Sequence, residues 1–135
     1  MNQKIIALFL AGLSLFPLTT PISAQVPDSG IIAPCWSYME AVDIEFNFFN
    51  STANLLVERR SQVTTKIEGT LTIYKKVGYR WVYVASDSDS STRTLSFDVE
   101  FDAVSGVTYK AVAEVTAYGT GGSESDSVSE VQTCP

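Results

Sequence analysis

The sequence predicts an all-β chain folded as a single antiparallel β-sandwich of about seven strands. Three observations predict it. Apolar and polar residues alternate with period two in several separate runs, the pattern of strands that bury one face. Turn-forming residues divide those runs at regular intervals, as they do along sandwich domains. Beyond residue 24 no stretch keeps a helical period.

Residues 1–24 read as a signal peptide. Lys4 supplies a short positive start, Ile5 to Leu18 an apolar stretch, and Thr19 to Ala24 a polar end with cleavage expected between Ala24 and Gln25. The apolar stretch is short for a membrane span and is broken by Gly12 and Pro17. No later segment suits a bilayer, so the mature product is expected to be secreted, extracellular and free of a membrane anchor. Of the 135 residues, removal of 24 leaves 111, enough for one domain with a core. Residues 25–34, with Pro27 and Pro34, form a short leader, and residues 35–135 the sandwich domain. Nine basic residues less Lys4 leave 8, against 15 acidic, a mature charge of −7. That balance argues against nucleic acid or an anionic membrane as main partner. The charges lie scattered along the chain, which suits a soluble surface rather than a steering patch.

Two cysteines, Cys35 and Cys134, flank the mature domain. In an exported chain an even pair reads as a disulfide, and closing so long a loop contributes about 4–5 kcal/mol in the chain-entropy model. No histidine is present to support a thiol nucleophile or a metal site.

From Trp36 onward the strands follow in order. Val42, Ile44, Phe46 and Phe48 alternate with Asp43, Glu45 and Asn47; Asn50-Ser51-Thr52 is a turn and also a glycosylation acceptor pattern; Ala53, Leu55 and Val57 point inward up to Arg59-Arg60. The densest apolar group is the hairpin Lys66 to Ala85. Ile67, Gly69, Leu71 and Ile73 face inward there, and Trp81 to Val84 supply the return strand. A three-residue loop, Lys76-Val77-Gly78, places only Gly78 in the left-handed region and pairs Ile73 with Trp81, making Trp81 and Tyr83 core residues. A two-residue loop at Val77-Gly78 would set Trp81 beside Tyr74 on the outer face, as a ligand platform, but asks a branched residue to take positive φ. Glycine fits and valine does not, so the core reading follows.

Ser86 to Thr92 reads as a polar connection. Asp87, Asp89 and Ser91 have calcium-loop spacing, but Thr92 stands where such a loop needs Gly, and Leu95 and Phe97 continue a strand through it. Leu95, Phe97, Val99 and Phe101 alternate with an acidic comb, the solvated side of an amphipathic strand. Val104-Ser105-Gly106 turns into the strand Val107 to Tyr118, with Tyr109, Ala111, Ala113 and Val115 inward; Gly119 to Ser127 forms a hairpin tip, and Val128 to Thr133 the last strand.

The run Gly106 to Ala111, with Trp81 before it, resembles the tyrosine-corner strand of immunoglobulin-like and fibronectin type III domains, which implies an Ig/fibronectin III-like sandwich. The inter-sheet cystine of true immunoglobulin domains is absent, the cysteines lying at the ends. More broadly, Cys35-Trp36, the Gly69 to Lys76 run, Gly106 to Ala111 and the Thr133-Cys134-Pro135 ending resemble a family of small secreted proteins of Gram-positive gut bacteria, of unknown function. The resemblance implies origin and compartment, and no activity.

Seven strands that reverse at every step leave the two ends about 30 Å apart, whereas a disulfide needs its Cα atoms within about 7 Å. The Cys35 to Ala41 segment, whose alternation is poor, is the one expected to fold back. For function, the composition points to a secreted, non-catalytic and monomeric binding module. It acts through loops and a sheet face on an extracellular protein or glycan, with no cofactor and no metal. Tyr74 and Tyr118 are the candidate contact residues. The alternatives are a small hydrolase with a carboxylate pair, since zero histidines remove His-assisted mechanisms, or a secreted toxin or competition factor.

Overall fold

The computed structural model describes residues 36–135, which form seven strands. They are β1 (Met39–Asn47), β2 (Thr52–Arg59), β3 (Thr64–Val77), β4 (Arg80–Ser91), β5 (Leu95–Glu100), β6 (Thr108–Gly119) and β7 (Gly122–Thr133). Two antiparallel sheets face each other, one ordered β1-β2-β5 and the other β4-β3-β6-β7. The all-β class and the two-sheet arrangement agree with the alternation. The expected signal peptide, its cleavage at Ala24–Gln25, the leader and Cys35 lie outside the described residues.

The core is built from the positions that the period of two marks. Ala53, Leu55 and Val57 of β2, Leu95 and Val99 of β5, Ile67, Leu71 and Ile73 of β3, and Tyr109, Ala111, Ala113 and Val115 of β6 are all buried. Burying each large aliphatic side chain is worth about 1.5–3 kcal/mol. Small residues on β6 pair with large ones on β3, Ala111 with Ile73, Ala113 with Leu71 and Ala117 with Ile67, as a close-packed interior requires. Phe46, Phe48, Phe101 and Tyr109 close one pole as an aromatic cluster, with ring centroids 5.0–6.5 Å apart. At the turn before β6, Gly106 has φ 84° and Val107 donates to the Val104 carbonyl at 3.1 Å, a type II turn that needs glycine at its third position. The Tyr109 hydroxyl donates to the Asp102 carbonyl at 3.2 Å and accepts from the Val104 amide at 2.9 Å, so the buried phenol is satisfied and ties β6 to the chain entering it.

Two connections are shorter than the polar composition suggests. The Ser86 to Ser91 run is strand: β4 continues through it, pairing Ser86 to Ser91 with Thr72 to Ile67. Likewise β7 starts at Gly122, leaving only Thr120 and Gly121 between the strands. Low β-propensity is overridden in both by pairing with a long central strand. β4 and β7 are the edges of the four-stranded sheet. The Asp87 carboxylate accepts from the Ser88 amide, Asp89 from Ser90 and Asp126 from Ser127, at 2.7–2.8 Å. Each aspartate thereby occupies an amide donor and charges the edge, which discourages strand addition. Asp87→Ala with Asp89→Ala is therefore expected to self-associate with rising concentration, read by light scattering on a sizing column. A variant that elutes like the parent throughout refutes the capping role.

Of the Cys35 to Ala41 segment expected to fold back, Trp36 to Ala41 are described, and going back from Met39 to Trp36 the contacts move along β7 from Glu124 to Asp126. Met39 is fully buried and opens β1, paired with Arg59. Ahead of it, the amides of Ser37, Tyr38 and Met39 all donate to Glu124 of β7, at 2.7, 2.8 and 3.1 Å, and the Trp36 indole donates to Asp126 at 2.7 Å. Trp36 is thus held by Asp126 on β7.

Candidate functional site

The β3–β4 hairpin positions the site, and its turn decides which side chains reach solvent. Val77 pairs with Arg80, leaving a two-residue loop of Gly78 and Tyr79. Gly78 has φ 64° and Tyr79 is not among the positive-φ residues, so the turn is type II′, which asks for glycine at its first central position. Neither loop expected from the sequence forms. Moving the loop one residue onward pairs Trp81 with Lys76 and Tyr83 with Tyr74, and a one-residue slip turns every side chain to the opposite face. Trp81 and Tyr83 accordingly lie on the outer face, not in the core. A bulge at Val84, between the pairs Ile73–Ala85 and Tyr74–Tyr83, restores the inward register beyond it.

The outer face of the four-stranded sheet therefore carries three rings at one end. Tyr74 and Trp81 are half-buried and Tyr83 is 60% exposed. Lys110, opposite Tyr74 on β6, places its Nζ 4.8 Å from the Trp81 ring centroid and 5.9 Å from that of Tyr74. Lys76 Nζ lies 5.7 Å from the same indole. All three distances are within reach of cation–π attraction. Tyr79 stands fully exposed at the tip, flanked by exposed Lys75, Lys76 and Arg80. Four of the nine basic residues, Lys75, Lys76, Arg80 and Lys110, gather here. The charges that look scattered in the sequence are grouped by the fold. Among the described residues the one salt bridge is Lys66–Glu68, elsewhere on the sheet.

Tyr118, the second candidate, shares this face but sits at its other end, paired with Lys66. Eight residues of β3 separate Lys66 from Tyr74, about 26 Å, so the two candidate tyrosines are not brought together. Tyr118 donates its hydroxyl to Glu68 at 2.9 Å, Lys66 bridges Glu68 at 2.7 Å, and Lys66 Nζ lies 5.5 Å from the tyrosine ring centroid. The hydrogen bond to Glu68 and its charge raise both Lys66 and Tyr118, and the hydrogen bonds from Lys66 and Tyr118 lower Glu68. The depressed Glu68 stabilises the fold above the ordinary carboxylate range and loses that contribution as pH falls through its folded value. The raised Lys66 contributes below its ordinary value and loses it as pH rises through the folded one. All three reach solvent, the Lys66 and Glu68 side chains being 48% and 43% exposed, so screening keeps the contribution small.

Between the two ends the face is a hydroxyl surface, with Thr70–Ser88, Thr72–Ser86 and Thr116–Ser125 paired at 2.7–3.3 Å, and Thr108–Thr133 pair at 2.8 Å at the Trp81 end. Asp87 and Asp89 lie in an extended strand, not in a loop that could wrap a cation. Among the described residues no group of three or more His, Cys, Asp and Glu is placed to hold a metal ion. Cys134 is 7% exposed, its amide donating to the Val107 carbonyl and its own carbonyl accepting from Gly106. Of Trp81, Tyr83 and Lys110, sequence reasoning weighed the first as an outer-face ligand platform and set it aside for the core, and it did not weigh the other two as site residues. The signal that could have found the first two is Gly78 read as the first, not the last, residue of the loop. Compared with known protein families, curated proteins and solved structures, the chain matches none.

Proposed function

We propose that this is a secreted, non-catalytic binding module that engages an extracellular glycan or protein through the Trp81 end of its outer sheet face. The single observation that carries the reading is three aromatic rings, Tyr74, Trp81 and Tyr83, held outward on one rigid sheet rather than buried. Large aromatic side chains left at the surface beside cationic groups are the composition of recognition surfaces, and strands position them more precisely than loops do. The strand order and the buried Tyr109 corner support an Ig/fibronectin III-like arrangement for the scaffold.

The test compares the mature protein with Trp81→Ala/Tyr83→Ala on a glycan array and on a panel of purified extracellular proteins. The two residues are not in the core, so the double variant is expected to lose only about 1 kcal/mol of stability, while capture falls by about tenfold or more, ~1.4 kcal/mol of binding. Capture unchanged in the variant, or no capture by the parent on either surface, overturns the proposal. Inhibition of bacterial growth by the parent and not by the variant would move the reading to a competition factor acting through the same face.

A further inference from the structure

We infer that the Trp81 end of the outer face takes an anionic polysaccharide, its sugar rings lying on Trp81, Tyr74 and Tyr83 and its carboxylate or sulfate groups meeting Lys76 and Lys110. The inference rests on the aromatic-face reading above and adds the ligand's charge and class.

Charge supplies the first argument. Lys76 and Lys110 hold two ammonium groups within 6 Å of one indole centroid, and among the described residues no carboxylate pairs with either within 4.0 Å. Two like charges gathered on one ring repel each other, and an anion bound beside them offsets the repulsion. Lys75 and Arg80 on the same hairpin add to the local positive field. The chain as a whole is acidic, with 15 Asp and Glu against 9 Lys and Arg. Screening over about 8 Å at physiological salt confines that opposing field, so the local cluster decides at contact.

Shape and edge chemistry choose between an acidic peptide and a glycan. An extended peptide gains affinity by adding a strand to a free edge. On β4 that edge is obstructed: Val84 bulges out of register, and the Asp87 and Asp89 carboxylates occupy the amides of Ser88 and Ser90 and repel an acidic chain. A polysaccharide needs no backbone partner. Its polarised C–H faces settle on the negative faces of aromatic rings. Tyr74 and Tyr83 are directly paired, which sets their Cβ atoms ~4.5–5.5 Å apart, and Trp81 and Tyr83 lie two residues apart on one face, about 6.6 Å. Those steps are comparable to successive sugar units. The hydroxyls of Thr72 and Ser86 continue the face beyond the rings.

Affinity electrophoresis tests the inference, with polygalacturonate, hyaluronate or chondroitin sulfate cast in native gels and with fully methyl-esterified polygalacturonate, dextran and poly-glutamate as comparators. The mature protein is expected to be retarded by at least one polyanionic glycan and by none of the comparators, with retardation lost as salt is raised. Lys76→Gln/Lys110→Gln should weaken it about tenfold or more, ~1.4 kcal/mol, whereas Lys76→Arg/Lys110→Arg retains it. Trp81→Ala should abolish it with every lysine present, which separates a site from diffuse attraction. Each variant's melting curve shows that it is folded. Equal retardation by the methyl ester overturns the charged-ligand inference and leaves the aromatic-face reading standing. Equal retardation by poly-glutamate overturns the glycan class. No retardation by any polyanion overturns the inference outright, and the array comparison with Trp81→Ala/Tyr83→Ala then judges the face on its own.

Discussion

Glu124→Ala is expected to lower the stability of the domain by about 2–4 kcal/mol, since hydrogen bonds to a charged group are worth ~1.5–3 kcal/mol each and those made here share one carboxylate. Glu124 accepts from three consecutive amides, Ser37, Tyr38 and Met39. Removing it leaves the part-buried ones among them without a partner, where water reaches poorly. The loss spreads along the segment. Tyr38, whose carbonyl accepts from the Arg60 amide at 3.0 Å and from the Thr64 hydroxyl, lies against Gly119. Trp36 is held to Asp126 on the same strand. A fall of about 10 °C or more in Tm, with a red shift of tryptophan emission as Trp36 is freed, is the expected result. Glu124→Gln keeps one acceptor and should lose less. A Glu124→Ala protein that melts like the parent would show that water replaces the carboxylate without cost.

Gly69→Val is expected to destabilise comparably, by about 1–3 kcal/mol or more, the cost of overpacking a filled core. Gly69 is buried in the middle of β3. A Cβ added there would sit 2.8 Å from Leu95 Cδ2 and 3.0 Å from Leu55 Cδ2, so the leucines of the facing sheet already fill the space a side chain would take. Its φ lies outside the left-handed region, so the argument is volume alone. Gly69→Val with Leu95→Ala frees room at the same spot and should recover part of the loss relative to adding the two single effects. Chemical denaturation of the four proteins closes that cycle, and strictly additive losses would mean the two positions do not share the space.

Which residues face the interior was legible in the chain. The period of two places Leu55, Val57, Leu71, Ile73, Leu95, Val99, Tyr109, Ala111, Ala113 and Val115 inward, and each is buried, because burial of one strand face is a local property that alternation records. Gly106 as a turn residue was equally legible, its position in the turn demanding positive φ.

The candidate site was not legible, and the reason is register. Trp81 changes faces with a one-residue shift of a turn, and Gly78 satisfies more than one loop; the choice falls to the pairing of the whole hairpin and to the bulge at Val84. Lys110 reaches Trp81 only because β6 pairs with β3, and Glu124 reaches Ser37 to Met39 only because β7 ends the sheet beside the start of the domain. No local pattern carries these encounters, since the residues are far apart in the chain and each is an ordinary polar or aromatic residue on its own strand. The sequence by itself determined the class of fold and the membership of its core, through a periodicity that each strand states alone. Only the tertiary structure decided which aromatics face solvent and which charges meet them, because both depend on the alignment of one strand against another.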